Sequence, residues 1–412
     1  MTVTATGAAP ILAVEGGTGI RRGWVVVAAL AVTQTVGYGV LTYAFTVLLL
    51  PIAAELHTST TAVTGAMTAS VLAGAVAAVP VGRWLDRHGG RVLMTAGSVL
   101  ATLLVAAWSR VDSVAALYAV LVGLGLTGAM VLYEPAFAVV VAWFPDPRHR
   151  ATALLAVTVV AGFASSIFLP LTGHLAAAHG WRTALLVLAG VHGAVTIPLH
   201  AVLVRRPTRP VPGVDDQSVA APRPALRIVL ADRRFLLLTA AFVAQAAALS
   251  TFTIHLVAYL VELGHPAALG ASIAGLLGLL SVAGRLGTTA AQRRLPPTAV
   301  TAAVFAVQAL AAAALPLLGA STAGAVTTVV AFGLGFGVAT IARPLLLTQL
   351  FGTTGYATLA GALTVPVTVA KALAPLAAAG IHDLTGAYPA VFVCIGVCCA
   401  LAATGIVLLG RR

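Results

Sequence analysis

Residues 99–107 run Val99-Leu100-Ala101-Thr102-Leu103-Leu104-Val105-Ala106-Ala107, and far downstream comes Leu310-Ala311-Ala312-Ala313-Ala314-Leu315-Pro316-Leu317-Leu318. Neither stretch has a charged face. A surface helix keeps one, and a barrel strand alternates apolar with polar residues. Runs that are apolar all round suit helices surrounded by lipid, each needing about 20 apolar residues to cross about 30 Å of hydrocarbon at 1.5 Å per residue. Working outward from these two, charged and Gly/Pro breaks divide the chain into twelve such segments. They cover approximately 24–50, 59–84, 91–108, 113–141, 150–178, 183–204, 235–261, 267–290, 297–317, 321–349, 356–381 and 386–409. The expected fold class is an all-α membrane protein of twelve transmembrane helices.

Composition agrees. Of 412 residues, 60% are hydrophobic and 8% charged, and the mean hydropathy is +1.04. A soluble domain carries roughly 25% charged residues. That argues against a soluble enzyme, a disordered chain and a disulfide scaffold. Cys394, Cys398 and Cys399 fall in one apolar segment without zinc or disulfide spacing, so small buried hydrophobes are expected. No metal-ligand cluster and no Gly-x-x-x-x-Gly-Lys-Ser/Thr loop is visible, so no metal, cofactor or nucleotide is expected, and no catalytic set appears. Residues 1–23 are mostly polar and small and form an expected flexible tail without a signal peptide.

The one long polar stretch, 205–234, holds Pro207, Pro210, Pro212, Pro222 and Pro224 and seven arginines. It is the expected cytoplasmic linker between two six-helix bundles, 24–204 and 235–409. If both termini are cytoplasmic, eighteen of the 23 basic residues lie in cytoplasmic segments, two (Arg110 and Arg182) lie outside, and Arg285, Arg343 and Lys371 lie within spans. That bias sets the expected orientation. It also accounts for the net charge of +12 without a nucleic-acid partner.

The halves echo each other. Arg150-Ala-Thr-Ala-Leu pairs with Tyr356-Ala-Thr-Leu-Ala, Gln34 and Thr42 with Gln245 and Thr253, Glu134-Pro135 with Arg343-Pro344, and Ser165 with Lys371. A duplicated six-plus-six design places a substrate site between the repeats.

After the second segment the chain reads Gly82-Arg-Trp-Leu-Asp86-Arg87-His-Gly89-Gly-Arg91. This resembles the helix 2–3 signature of the major facilitator superfamily. Gly82 permits close helix approach, Asp86 can accept hydrogen bonds from a neighbouring helix N-terminus, and Arg87 and Arg91 stay in the cytoplasm. The second-half equivalent at Gly287 lacks the acid, with Ala291 in its place. Within the superfamily, Gly23-Trp24, Gly37-Tyr38-Gly39 and Leu50-Pro51-Ile52 are similar to the first helix of monocarboxylate carriers and oxalate:formate-type antiporters. The resemblance implies that Arg285 and Lys371 hold a substrate carboxylate. Ser281 stands where animal-type carriers have an acid four residues before the arginine.

An ionised group at the bilayer centre costs roughly 2.5–3.5 kcal/mol. Three cations against one acid, Glu134, leave a positive cavity whose natural counter-ion is an anionic substrate. Arg285 can grip a carboxylate bidentately, and Lys371, the only lysine in the chain, offers a compact ammonium. Gln34, Tyr38, Thr42, Gln245, Thr253 and Ser165 are further expected substrate contacts. Glu134 and Arg343 are expected in gating or coupling, together with Asp86, Arg87 and Arg91, and Glu134 is a candidate proton carrier. His192, His200 and His255 are read as packing residues.

The expected function is therefore a secondary active transporter of a small mono- or dicarboxylate, coupled to protons or exchanging anions. The lipid bilayer is its surroundings and the chain acts as a monomer in a bacterial plasma (inner) membrane. The alternative is a proton-driven drug or metabolite exporter. Phe168-Leu-Pro170-Leu-Thr-Gly173 lacks the glycine before the proline found in that branch.

Overall fold

The computed structural model describes residues 12–206 and 226–410. Of the expected flexible tail 1–23, residues 1–11 lie outside the described residues, while the chain from Leu12 is already helical and runs into the first span; of the linker 205–234, residues 207–225 lie outside and Leu226–Ala231 forms a short helix. Among the described residues, twelve apolar helices are long enough to cross a membrane. They are α1 (Ile20–Glu55), α2 (Thr60–His88), α3 (Gly90–Trp108), α4 (Val114–Trp143), α5 (147–179), α6 (181–203), α7 (Arg233–Glu262), α8 (Ala268–Ala291), α9 (Pro297–Leu318), α10 (Thr322–Phe351), α11 (Tyr356–Thr385) and α12 (Pro389–Gly410). Helices α5 and α6 follow directly on each other within Pro147–Leu203, with a turn at Phe163 inside α5 and a reversal at Gly180. Its φ of +79° suits glycine alone.

Helix ends are fixed by local chemistry. Ser59, Ser113, Asp146 and Ser321 cap α2, α4, α5 and α10 by accepting from Ala62, Ala116, His149 and Gly324 amides. Interiors carry deliberate breaks. Pro135 has no N–H and crowds the carbonyl four residues back, so α4 breaks at Leu132. The freed Val131 carbonyl accepts a 2.7 Å bond from Gln34 Nε2. In the second half α10 loosens over 334–337, and Gln308 Nε2 donates to the Phe332 carbonyl at 3.1 Å. A glutamine from a neighbouring helix thus plugs each broken span, as an apolar setting requires.

One face gathers the arginine-bearing loops and both ends of the described chain. There Arg91 Nε donates to the Ala201 carbonyl at 2.6 Å and Trp143 Nε1 to the Arg205 carbonyl at 2.8 Å. On the opposite face Arg182 gathers Glu55 and the Ser109 and Val111 carbonyls at 2.7–2.9 Å, tying α1, α3 and α6.

The apolar cores reveal how the halves meet. Near the opposite face there are two, one within each half. Phe45, Leu48, Trp108 and Trp181 belong to the first, and Phe252, Tyr259, Phe332 and Phe392 to the second. Near the arginine face a single core joins both halves, with Leu30, Phe137 and Leu154 beside Phe235, Leu346 and Leu359. The two halves are sealed together at the arginine face and parted at the other.

Candidate functional site

Three cross-half contacts make the seal. The first is the crossing of α2 and α11. A Cβ on Gly82 would lie 2.2 Å from the Ala357 carbonyl oxygen, and one on Gly361 would lie 2.3 Å from that of Ala78. Only glycine permits backbones this close. The N-cap of α11 is Gly355, which has no side chain to offer. Asp86 of the other half fills that role, accepting from the Ala357 amide (3.1 Å), the Thr358 amide (2.9 Å) and the Thr358 hydroxyl (2.5 Å). A carboxylate there also meets the positive end of the helix dipole.

The second contact is an ion pair. Arg343 of α10 binds Glu134 of α4 through Nη2, with side chains 16% and 22% exposed. Its Nη1 leans on the Thr364 hydroxyl of α11 at 3.4 Å. The third is Arg285 of α8. Its Nη1 donates to the Thr158 carbonyl of α5 at 2.8 Å, and its Nε makes a long 3.3 Å contact to the Gly337 carbonyl in the loosened part of α10. Arg285 is buried and has no carboxylate partner among the described residues.

By the internal repeat, the α5–α8 contact corresponds to α2–α11. The two are built differently. A Cβ on Gly287, the counterpart of Gly82, would meet nothing within 4 Å, and Ala291 replaces the capping acid. One contact is closed by backbone packing and a fixed carboxylate. The other hangs on an arginine whose partners are uncharged carbonyls.

Above this seal, between the parted halves, stands Lys371. It lies two helical turns beyond Thr364 on the same face of α11, is exposed, and is close enough to Arg343 for the two charges to repel. Facing these cations from the first half are Tyr38, Tyr43 and Tyr133. The five-residue π-turn Gly39–Tyr43 in α1 brings Tyr38 and Tyr43 toward one side, and at its start a Cβ on Gly39 would lie 2.2 Å from the Phe168 ring. Tyr38 and Tyr133 rings are 4.5 Å apart. Tyr38 lies within electrostatic reach of Glu134 and Arg343, and Tyr133 within reach of Arg285.

The structure thus brings Arg285, Arg343, Lys371, Glu134 and Tyr38 together; Thr42 is half-buried on α1 and Ser165 half-buried on α5. Gln34 is fully buried and turned into α4. Gln245 is buried in α7. Thr253 is exposed and returns its hydroxyl to Leu249. Arg87 and Arg91 are exposed on the arginine face. His192 and His200 pack between α3 and α6 against Thr102 and Ser98, and His255 meets the Pro375 carbonyl. Sequence reasoning missed Tyr133, Tyr43 and Thr364. Tyr133 had a local signal, since it adjoins the one acid within a span, whereas Tyr43 depends on a π-turn that no residue pattern announces.

The sequence profile of the Major Facilitator Superfamily matches residues 30–375. Monocarboxylate transporter 13 of Rattus norvegicus is 28% identical over 337 residues, 80% of this chain and 75% of the relative. Among solved structures, the E. coli fucose:proton symporter superposes with TM-score 0.72 at 14% identity, over 93% of this chain and 98% of that one. A bacterial homologue of the iron transporter ferroportin, in an outward-facing state, gives TM-score 0.72 at 14% identity over 94% and 100%.

Proposed function

The chain belongs to the Major Facilitator Superfamily, and from that premise we propose that it is a secondary active transporter of a small carboxylate. The arginine face is the cytoplasmic one, placing basic loops inside, and the structure is then open to the outside. The observation that carries the proposal is the charge imbalance at the floor of the opening: Arg285, Arg343 and Lys371 against Glu134. A buried cation without a counter-ion is costly, and a carboxylate arriving from outside removes that cost. The similarity to a monocarboxylate transporter supports the same substrate class.

A sequence of events follows from the contacts. Lys371 meets the anion first, because it is exposed. The carboxylate then competes with Glu134 for Arg343 and with the Thr158 carbonyl for Arg285; a charged acceptor outcompetes a neutral one. Once Arg343 turns to the substrate, Glu134 loses its cation, and taking up a proton removes the lone charge. With both α4–α10 and α5–α8 contacts released, the α2–α11 crossing and the shared apolar core still hold the arginine face shut. Anion and proton then move inward together as the halves rock about the site.

A thermal-shift screen of the purified protein in detergent tests this. The panel holds small mono- and dicarboxylates, lipophilic cations and neutral drugs. A ligand at 100 times its dissociation constant stabilises the folded state by about 2.7 kcal/mol. Carboxylates should stabilise the wild type but not Arg285→Ala or Lys371→Ala. Stabilisation by lipophilic cations or neutral drugs alone would overturn the proposal in favour of drug export.

A further inference from the structure

Four of the chain's seven tyrosines, Tyr38, Tyr43, Tyr133 and Tyr356, lie around the Glu134–Arg343 pair. Tyr356 is buried in the shared core. The other three come from α1 and α4 and are half-buried. The Tyr133 ring stacks on Phe137 at 5.0 Å with an interplanar angle of 13°, and Phe137 is itself locked in the core. Tyr38 leans on Tyr133 at 4.5 Å and 46°. Tyr133 is thereby held against the core, and Tyr38, Tyr43 and Tyr133 each keep part of their surface outside the packing.

Their hydroxyls tell the same story. None of the three has a hydrogen-bond partner among the described residues. Arg343 binds Glu134 through Oε1, and none of the three phenols donates to that carboxylate. A polar group left without a protein partner needs water or a ligand. The opening is thus two-sided, with cations on the second half and a rigid aromatic wall with free hydroxyls on the first. A short aliphatic acid fills the cationic side and leaves the wall idle. A flat ring in register with the wall gains stacking beyond simple burial.

On the premise that the substrate is a carboxylate, as above, we propose that it carries an aromatic body, with the carboxylate on Arg343 and Lys371 and the ring against Tyr38 and Tyr133. The phenol groups favour a ring that itself bears a hydroxyl.

The test uses the full-length protein in detergent and titrates 4-hydroxyphenylacetate, phenylacetate, cyclohexylacetate and lactate. The wild type should bind 4-hydroxyphenylacetate about tenfold tighter than cyclohexylacetate or lactate. Tyr38→Leu and Tyr133→Leu should shrink that ratio to about threefold or less. Tyr133→Phe keeps the ring and its packing, and should lose only the preference for 4-hydroxyphenylacetate over phenylacetate. If all four acids bind alike and the tyrosine variants change nothing, the aromatic inference fails and the carboxylate proposal stands. If none binds, the carboxylate proposal fails and takes this one with it; if binding persists unchanged in Arg343→Gln with Lys371→Gln, the placement of the carboxylate on those two residues, and with it this inference, is overturned.

Discussion

Replacing Asp86 by Asn isolates the carboxylate that α2 lends to α11. In the wild type its two oxygens accept from two backbone amides and one hydroxyl at 2.5–3.1 Å. Asn keeps one acceptor oxygen and turns an N–H₂ donor toward donors. The substitution removes at least one charged hydrogen bond, worth about 1.5–3 kcal/mol, together with a helix-dipole term of about 0.3–1 kcal/mol. Asp86 is half-buried, and water that enters recovers part of this, leaving a net cost of about 2 kcal/mol. That loss falls only on the conformation in which α2 touches α11, so opening of this crossing should become roughly 30-fold more frequent. Hydrogen exchange at the Ala357 and Thr358 amides reads the change directly. Both should exchange roughly 30-fold faster in the variant, whereas amides in the core around Trp108 and Leu117 should not change. Unchanged protection of the two amides, in a folded variant, would refute the idea that Asp86 caps α11 across the halves.

Other outcomes follow from the same contacts. Gly82→Ala puts a carbon where only 2.2 Å separates it from the Ala357 oxygen, so it should cost about 1–3 kcal/mol in the sealed state; spin-label distances across the arginine face should lengthen, while Gly287→Ala, with open space around it, should leave them unchanged. Glu134→Gln and Arg343→Gln should each lower thermal stability, and the double variant should recover part of the loss, with a coupling of about 1 kcal/mol or more in a double-mutant cycle. Asp146, in the loop before α5, accepts from the His149 amide, and this bond holds its carboxyl below the usual aspartate range. A lowered folded value means the cap contributes at neutral pH and is lost as pH falls through that value. NMR titration of a labelled Asp146 should show a midpoint below that of an ordinary aspartate, and His149→Pro, which removes the amide, should raise it.

How far the sequence reaches can be judged residue by residue. Twelve spans and the family resemblance at Gly82–Arg91 are local facts. Apolar segments of about 20 residues suit lipid, and a helix in lipid must satisfy its own backbone, so the order of apolar runs and polar breaks along the chain points to helices and to the number of crossings. The internal repeat similarly points to two halves, and the position of Asp86 before a short loop announces that it will meet a helix end. The location of three cations and one acid within spans is legible for the same reason, because each violates a simple rule of solubility.

Which of these groups meet depends on how the helices pack. Glu134 and Arg343 are 209 positions apart, and nothing along the chain says that they pair with each other rather than with local partners. Gln34 has the composition of a ligand-binding residue. It is instead spent on the Val131 carbonyl, because Pro135 breaks α4 and a broken helix in an apolar setting must find a donor nearby. Tyr43 and Tyr133 come to face the cations only through a π-turn and a helix break. The sequence determines what must be buried. The packing of twelve helices determines the partner that each buried polar group finds, since that depends on distances between segments that the chain order does not specify.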